Sequence, residues 1–469
     1  MNRIFKRIKA DYFLMILIIE IILLFILSIC SLANNMFNLF VGIITSGILI
    51  TALLMVIRYF INHFISKYNL KLFIIATISL SLIGLIIYLV FVFGRNMEYV
   101  SDHNVYFMQQ NELHNLFLDS HLKGFYAIVK SCWYSDYSYF INIFLELPYA
   151  LFPKSNESFI MIYYFVFIIP TFSLGNVAIF NFMEKFNVSN KITFVFLCDC
   201  TLMFFPLLHF ASLLGMPDIF GLFFVFSIMI LLLNKDFIVF DIKTSLLLSG
   251  LIIGLAVTRR WYIFWLIGFI PSFFVIALAA YFVQKTPNIK RIIVNMVKTC
   301  FVVMLFVVFL LAPFIYHTLI DRNYSEEYSA YYLGGFSYEI FNQCGYLGVL
   351  MIILVVAGLI YGLYKKELRI IALVTVSSFL LSIWSFTLIQ NMGKHQSLCL
   401  IPYYLTCLIL LYLLVDRIKV KPIRFISVAI VLIVLLLNVF STVFVWVDNL
   451  DSIFLTTKYA ISSRFKWKL

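Results

Sequence analysis

Thirteen long apolar runs divide the 469-residue chain and leave little sequence between them. A helix that crosses a bilayer needs roughly 20 mostly apolar residues, and short alternating segments of the kind found in membrane β-barrels are not the pattern here. With 64% hydrophobic and 12% charged residues, the chain is unlike a soluble enzyme, a disordered protein or a coiled coil. The runs fall at about 13–33, 37–57, 72–93, 158–182, 192–210, 218–233, 245–257, 261–283, 293–317, 345–364, 370–389, 397–415 and 424–446. We predict an all-α polytopic membrane protein, a single integral membrane domain over residues 1–469, with about 11 to 13 transmembrane helices.

The basic residues indicate how these helices are oriented. If the N-terminus lies inside and the runs alternate, 22 of the 34 Lys and Arg fall on the cytoplasmic side, as the positive-inside rule expects. Fourteen of the 22 Asp and Glu fall outside. The basic residues of the C-terminal tail fit this scheme poorly, which indicates that one span is miscounted or re-entrant. The net charge of +12 is therefore a sign of cytoplasmic loops and not of nucleic-acid binding.

Two external segments are long, residues 94–157 and 318–343. In the first, apolar residues recur at helical spacing and predict an amphipathic helix on the membrane surface; they include Val105, Met108, Leu113 and Leu116. A second surface element is predicted around aromatic residues that suit the headgroup layer, Trp133, Tyr134, Tyr137 and Tyr139.

Asp102 is the first candidate for chemistry, because it lies just outside the third span and just before the predicted surface helix. A carboxylate there can act as a general base on a hydroxyl group, with His103 and Tyr106 beside it as candidate substrate-binding residues. The alternative is a helix N-cap, in which the Asp side chain accepts hydrogen bonds from unpaired backbone N–H groups. Asp218, which opens the sixth run after Pro217, has the same two interpretations.

Arg259 and Arg260 follow the short seventh run and lie on the external side, against the charge bias. Guanidinium groups offer planar, bidentate donors that suit phosphate; the alternatives are snorkelling to the headgroups or a structural ion pair. Lys394, His395 and Gln396 form part of a short polar loop, Gln390 to Ser397, that either contacts a phosphate or sugar or is an ordinary external turn.

Glu20 and Asp199 lie within apolar runs, where ionisable side chains are costly. They are explained either by polar contacts between helices or by a proton path. A proton path would make the protein a transporter.

Together these residues resemble the GT-C glycosyltransferases, in particular the branch of the protein O-mannosyltransferases and the aminoarabinose transferase of lipid A. The resemblance lies in the order of four features: an external acid before surface helices, a second external acid opening a later span, a G-x-x-x-G-L-A-x-x-basic stretch from Gly250 to Arg259, and the late stretch G-K-H-Q-S-L-C-L-I-P-Y-Y. It covers most of residues 72–415. In many relatives the first acid follows the first span, whereas here it follows the third.

The resemblance implies a GT-C-like bundle and an inverting hexosyl- or pentosyltransferase that uses a polyprenyl-phosphate-linked sugar donor. Asp102 would be the catalytic carboxylate, and Asp218 the second acid, which contacts substrate. Arg259 or Arg260, with Lys394 and His395, would bind the donor phosphate. No cofactor is certain. Metal use is left open because His103 stands where relatives often have a second acid; if a divalent cation binds, Asp102 and Asp218 are its ligands.

The resemblance also implies the setting of the reaction. We expect a multi-pass protein of a bacterial plasma membrane with an extracytoplasmic active site and an envelope glycan, lipid or protein as acceptor. A cytoplasmic-face polyprenyl-phosphate glycosyltransferase and a flippase would act in the same pathway, and no nucleic acid is expected as a partner. Two other classes remain open, a lipid-linked saccharide flippase or transporter and an O-antigen-type polymerase or ligase.

Overall fold

The computed structural model describes residues 15–29, 37–97, 102–213, 215–393, 395–439 and 465–467. Within these ranges the chain is almost entirely helical. In chain order the helices are α1 (Met15–Ile29), α2 (Asn38–Phe64), α3 (Leu70–Gly94), α4 (Asp102–Asp119), α5 (His121–Tyr134), α6 (Phe140–Leu151), α7 (Asn156–Tyr163), α8 (Ile169–Lys185), α9 (Lys191–Phe204), α10 (Pro206–Leu213), α11 (Asp218–Leu233), α12 (Ile242–Thr258), α13 (Tyr262–Val283), α14 (Ile289–Tyr316), α15 (Tyr324–Glu327), α16 (Gly335–Leu347), α17 (Val349–Tyr364), α18 (Arg369–Thr387), α19 (Ile401–Asp416) and α20 (Lys421–Val439).

Short irregular elements join or interrupt these helices. Five-residue π-helical segments continue α7 into α8 (Tyr164–Ile168) and follow α14 (His317–Asp321). Two 3₁₀ turns, Ser329–Tyr331 and Gln396–Leu400, lie near α15 and before α19. The strands Arg95–Met97 and Phe465–Trp467 pair antiparallel.

Each of the thirteen predicted apolar runs overlaps a helix, which confirms the prediction of a multi-pass helical membrane protein. Among the described residues, eight helices are long and apolar enough to cross a bilayer. The pair α16 and α17, bent by 108° at Gly348, makes a ninth if it counts as one broken span. Helices α1, α6, α11 and α12 are apolar but shorter. The GT-C-like arrangement remains a prediction.

The centre of the bundle is formed by α8, α11 and α19, whose residues are buried on nearly every side. This explains their continuous apolar composition, because a helix covered by protein all round needs no polar face. Around them, α13 packs along α18 and α17 packs along α19. Small residues allow these close approaches, since Gly268 abuts Ser382 and Gly358 abuts the Cys407 carbonyl.

The helix ends gather on two opposite faces. We call one the basic face; it comprises the connections 65–69, 186–190, 234–241, 284–288, 365–368 and 417–420. Glu184 accepts hydrogen bonds there from the Ser66 backbone (2.9 Å) and the Asn69 side chain (2.7 Å). We call the other the acidic face; it comprises the connections 135–139, 215–218, 258–262, 317–334 and 389–397. The two groups are those that the charge pattern assigns to opposite sides of the membrane.

The first external segment contains three helices, α4, α5 and α6. The helical prediction for residues 105–116 is confirmed, but the second predicted element is divided. Trp133 and Tyr134 end α5, whereas Tyr137 and Tyr139 lie in the connection to α6. Helix α6 is largely buried, and its Glu146 is fully buried, where it accepts from Gln110 (2.9 Å) and pairs with His114 (2.6 Å) on α4. This segment therefore packs into the protein as well as bordering the membrane.

Candidate functional site

A buried ion pair between Asp218 and Arg259 lies at the centre of the acidic face. The Arg259 Nε donates to both carboxylate oxygens of Asp218 at 3.2 Å, and the two side chains are 3% and 1% exposed. Asp218 is the first residue of α11, and Arg259 is the residue that ends α12. The structure therefore bears out the ion-pair alternative for Arg259, with Asp218 as its partner.

Tyrosine hydroxyls hold the backbone that carries this pair. The Tyr262 hydroxyl donates to the Asp218 carbonyl, and the Tyr163 hydroxyl donates to the Met216 carbonyl, both at 2.5 Å. The turn before α11 passes through Gly215 at a φ of +66°, a conformation that favours glycine. The carboxylate of Asp218 is thus fixed by a tight turn and by hydrogen bonds to the backbone around it.

Two aromatic rings from the first external segment cover Arg259. The Arg259 Cζ lies 5.2 Å from the centre of the Tyr106 ring and 5.7 Å from that of Tyr137. Guanidinium groups stack favourably on such rings, most strongly where water is excluded. Tyr106 was predicted as a substrate-binding residue; the structure places it beside Arg259.

Arg260 points to a second polar cluster that joins the two external segments. Its Nη1 lies 2.8 Å from the Asp136 Oδ1, and its Nη2 donates to the Ser135 carbonyl at 2.6 Å. Arg322 of the second segment pairs with the other Asp136 oxygen at 2.6 Å, and Tyr324 donates to Asp136 at 3.1 Å. One carboxylate therefore links the α12–α13 turn to both external segments.

The protonation states in this second cluster are well defined. Hydrogen bonding to Glu327, followed by that to Asp136, raises the pKa of the Arg322 guanidinium. Burial raises the pKa of Tyr324 and raises that of the neighbouring Tyr328 to about 12. Both tyrosines therefore stay protonated at neutral pH, and Tyr324 donates its proton to Asp136.

The polar loop 390–397 is more buried than its composition predicts. Gln390, Asn391, Gln396 and Ser397 are all buried. The fully buried Glu339 of α16 organises the loop by accepting from the Met392 backbone (2.8 Å) and the Asn391 side chain (3.0 Å). Burial is tolerated because each polar group finds a partner.

The remaining predicted residues lie around these clusters. Gln396 accepts from the Gly393 backbone at 2.6 Å, and the half-buried His395 precedes the 3₁₀ turn that packs against α11. Asp102 and His103 open α4, but their side chains lie outside the described part of the structure. Lys394 also lies outside the described residues.

Sequence reasoning missed four residues that belong to these clusters, Asp136, Arg322, Tyr324 and Glu339. Asp136 and Glu339 were recognised only as external acids, and Arg322 only as a basic residue of the second external segment. The contacts that bring them into the clusters are long-range, from Arg322 and Tyr324 to Asp136 across 186 and 188 positions and from Asn391 to Glu339 across 52, and no local motif marks such contacts.

Each of the two acids within apolar runs has a polar neighbour on another helix and one buried carboxylate oxygen without a hydrogen-bond partner. The Glu20 Oε1 accepts from Thr51 on α2 at 3.0 Å, which is a polar contact between helices. One carboxylate oxygen of Asp199 is buried without a hydrogen-bond partner, and its neighbour Asn176 lies on α8. Neither acid contacts the clusters of the acidic face.

The described part of the chain does not bring three or more His, Cys, Asp or Glu side chains together in a metal-binding group. Of the two predicted metal ligands, Asp218 is paired with Arg259, and the Asp102 side chain is not described. Metal use therefore stays a prediction. Comparisons with known proteins found no matching family model, no matching curated protein and no matching solved structure.

Proposed function

We propose that this protein is an inverting glycosyltransferase that moves a sugar from a polyprenyl-phosphate carrier to an envelope acceptor. The observation that carries the proposal is the Asp218–Arg259 pair, buried under Tyr106 and Tyr137 of the first external segment. Burial of two charges seldom adds stability by itself, because desolvation offsets their attraction. A fixed guanidinium in a water-poor position is suited to a different task, the stabilisation of charge that develops during a reaction.

In the proposed reaction, an acceptor hydroxyl attacks the anomeric carbon of the sugar and loses its proton to Asp102. The bond between that carbon and the phosphate oxygen breaks from the opposite side, which inverts the stereocentre. The leaving polyprenyl phosphate gains negative charge, and Arg259 and Arg260 stabilise it. Asp218 is the positioning residue for Arg259.

Reconstituted transfer tests this proposal. Purified protein in liposomes is supplied with radiolabelled polyprenyl-phosphate sugars and an envelope-derived acceptor fraction. Asp102→Asn keeps the capping ability of the residue but removes the general base, so transfer should fall ~10²–10⁴-fold. The matched control is Asp119→Asn at the other end of the same helix, where the exposed carboxylate pairs with Lys123.

The control variant should transfer like the wild type. Normal transfer by a well-folded Asp102→Asn variant would contradict the assigned base. Absence of transfer from every polyprenyl-phosphate sugar by the wild type would contradict the function itself.

A polymerase or ligase acting on polyprenyl carriers is the second candidate function. It is favoured by Arg322, which enters the acidic face from the second external segment and shares Asp136 with Arg260. Such an enzyme would transfer a whole glycan from a diphosphate-linked carrier. Comparing a monophosphate-linked single sugar with a diphosphate-linked oligosaccharide as donors distinguishes the two functions.

A further inference from the structure

Helix α16 carries its polar side chains inside and its apolar side chains outside. Glu339 and Gln343 are one turn apart and are 0% and 3% exposed. Tyr338 and Phe341 lie on the other side of the helix and are exposed, Phe341 to 74%. A helix whose outer face meets water has the reverse distribution. The outer face of α16 is therefore suited to an apolar environment.

The polar side of α16 is held in place by protein contacts. Gln343 donates to Glu339 at 2.7 Å and to the Ser397 hydroxyl at 2.8 Å, and its carbonyl oxygen accepts from the Tyr404 hydroxyl at 3.1 Å. Glu339 also accepts from two groups of the loop 390–397. Turning the helix about its axis would leave these buried polar groups without partners, which is costly. The apolar side is therefore fixed facing outward.

The direction of α16 differs from that of a membrane-spanning helix. The chain turns by 108° at Gly348, whose φ is +76°, so α16 lies nearly perpendicular to α17. Helix α17 has 16 residues, or roughly 24 Å at 1.5 Å per residue, whereas the hydrocarbon core of a bilayer is about 30 Å thick. With its other end at the basic face, α17 brings Gly348 to roughly 6 Å inside the opposite edge of that core. Amphipathic surface helices lie at this depth, about 5–10 Å into the boundary between headgroups and acyl chains.

The outer face of α16 continues the exposed surface of a predicted membrane-spanning helix. Helix α16 packs against α18, at whose end Trp384 and Leu388 are 51% and 58% exposed. The residues that lead into α16 are also exposed and apolar or aromatic, Tyr331, Tyr332 and Leu333. Tryptophan and tyrosine are enriched where a bilayer meets water. The composition of this surface is therefore that of a membrane boundary.

We propose that residues 331–333 and α16 form an outer-leaflet anchor, which inserts Phe336, Tyr338 and Phe341 into the leaflet at the acidic face. The partner is the bilayer itself, at the boundary between headgroups and acyl chains. A second copy of the chain or another protein would need only an apolar patch. The bilayer also accounts for the direction of α16 and for its depth.

The outer-leaflet anchor connects the membrane to the candidate site. Glu339 lies on the inner side of α16 and holds the loop 390–397. A helix fixed in the leaflet therefore fixes this loop close to the membrane surface. The inference does not depend on sugar transfer and holds for either candidate function.

Photo-crosslinking from the exposed positions tests the outer-leaflet anchor. p-Benzoylphenylalanine, which inserts into nearby C–H bonds on illumination, replaces Phe341 or Tyr338 in the full-length protein in phospholipid nanodiscs. The matched controls are Phe309, a 77% exposed residue of the apolar helix α14, and Glu326, an exposed residue of α15 in the same external segment. Size-exclusion elution before illumination checks that each variant is folded. Intact-mass spectrometry then separates lipid adducts from protein adducts, and fragmentation locates the attachment along the lipid.

We expect most of the cross-linked protein at positions 341 and 338 to carry one lipid, as at position 309, whereas position 326 should give no lipid adduct. The attachment from position 341 should lie in the part of the acyl chain next to the glycerol, within about 5–10 Å of the boundary. Attachment near the methyl end would make α16 part of a broken span and overturn its surface position. Adducts to a second copy, or a lack of adducts as at position 326, would overturn the assignment of the bilayer as the partner.

Discussion

The acidic and basic faces both carry Arg–carboxylate pairs, but they hold them in different surroundings. Arg259 and Asp218 are sealed under protein, whereas Arg417 and Glu367 on the basic face are 36% and 50% exposed. An exposed pair is solvated by water and adds little to stability. A buried pair loses that solvation, so the attraction between its charges does not by itself explain why the pair is buried. The comparison shows that the pair on the basic face is solvated, whereas the pair on the acidic face is held in the protein interior.

Carboxylates that organise loops show the same difference. Glu339 on the acidic face is fully buried and holds Asn391 and Met392. Asp416 on the basic face is half-buried and accepts from the backbone of Ser189 (2.9 Å) and Asn190 (2.7 Å). Each stabilises an irregular segment, but only at Glu339 is water excluded from the bonds.

The largest expected loss of stability comes from removing one member of the buried Asp218–Arg259 pair. Arg259→Gln leaves the Asp218 carboxylate buried without its cation, which should lower the free energy of unfolding by about 3–5 kcal/mol. Arg417→Gln on the basic face should change it little. Unfolding in detergent micelles measures the free energy of unfolding of both variants. Similar losses in the two variants would contradict the proposed difference between the faces.

The next largest loss of stability is expected from changing Glu339, compared with the same change at Asp416. Glu339→Gln replaces an oxygen with an N–H donor that faces other donors, so unfolding should become easier by about 2–3 kcal/mol. Residues 390–397 should also exchange their amide hydrogens faster. Asp416→Asn, where water can replace lost bonds, should have a smaller effect. A larger loss for Asp416→Asn would show that burial is not what separates these two carboxylates.

A smaller effect is expected where the acidic face joins its two external segments. Asp136→Asn removes the carboxylate that Arg260 and Arg322 share, at a cost of about 1–2 kcal/mol. Hydrogen exchange should increase in α15 and its neighbours, and transfer should fall by less than in Asp102→Asn. Asp321→Asn is the control, because Asp321 lies in the second external segment near Arg322 and pairs with His317 among its described contacts. Unchanged exchange in Asp136→Asn would mean that other contacts hold the segments together.

The smallest effect is a pH dependence of the basic face. Hydrogen bonding to Arg417 lowers the pKa of Glu367 below its usual value of 4.5. Because the folded-state pKa is the lower one, this contribution to stability is present at neutral pH and is lost as the pH falls through the folded-state pKa. The difference in unfolding midpoint between the wild type and Glu367→Gln should therefore disappear once the pH lies below the folded-state pKa of Glu367. A difference that persists there would contradict the ion-pair assignment.

The sequence was sufficient for the helices and for part of the site. Apolar runs predicted the helices because membrane helices satisfy their own backbone and need only length and hydropathy. The start of α11 at Asp218 also agrees with the sequence, because a proline boundary is a local signal.

The rest depended on packing that local patterns do not encode. The burial of Gln390, Asn391, Gln396 and Ser397 could not be predicted, because the loop is held by Glu339 from a different helix. Helix α6 was missed because its polar Asn142 and Glu146 interrupt the apolar pattern, yet both are buried against α4. The role of Asp136 depends on Arg260 and Arg322, which only the folded chain brings together.

The most direct test replaces both members of an ion pair with neutral residues, once on the acidic face and once on the basic face. Asp218→Asn combined with Arg259→Gln leaves no unpaired buried charge, so the protein should fold. The matched control combines Glu367→Gln with Arg417→Gln on the basic face. Donor binding and sugar transfer are measured for both with an undecaprenyl-phosphate sugar. We predict that the acidic-face variant loses donor affinity and transfer by roughly 10- to 100-fold, the contribution expected of hydrogen bonds to a charged group, and that the basic-face variant keeps both. Full donor binding and transfer by the acidic-face variant would show that the Asp218–Arg259 pair is structural, and would contradict the proposed site.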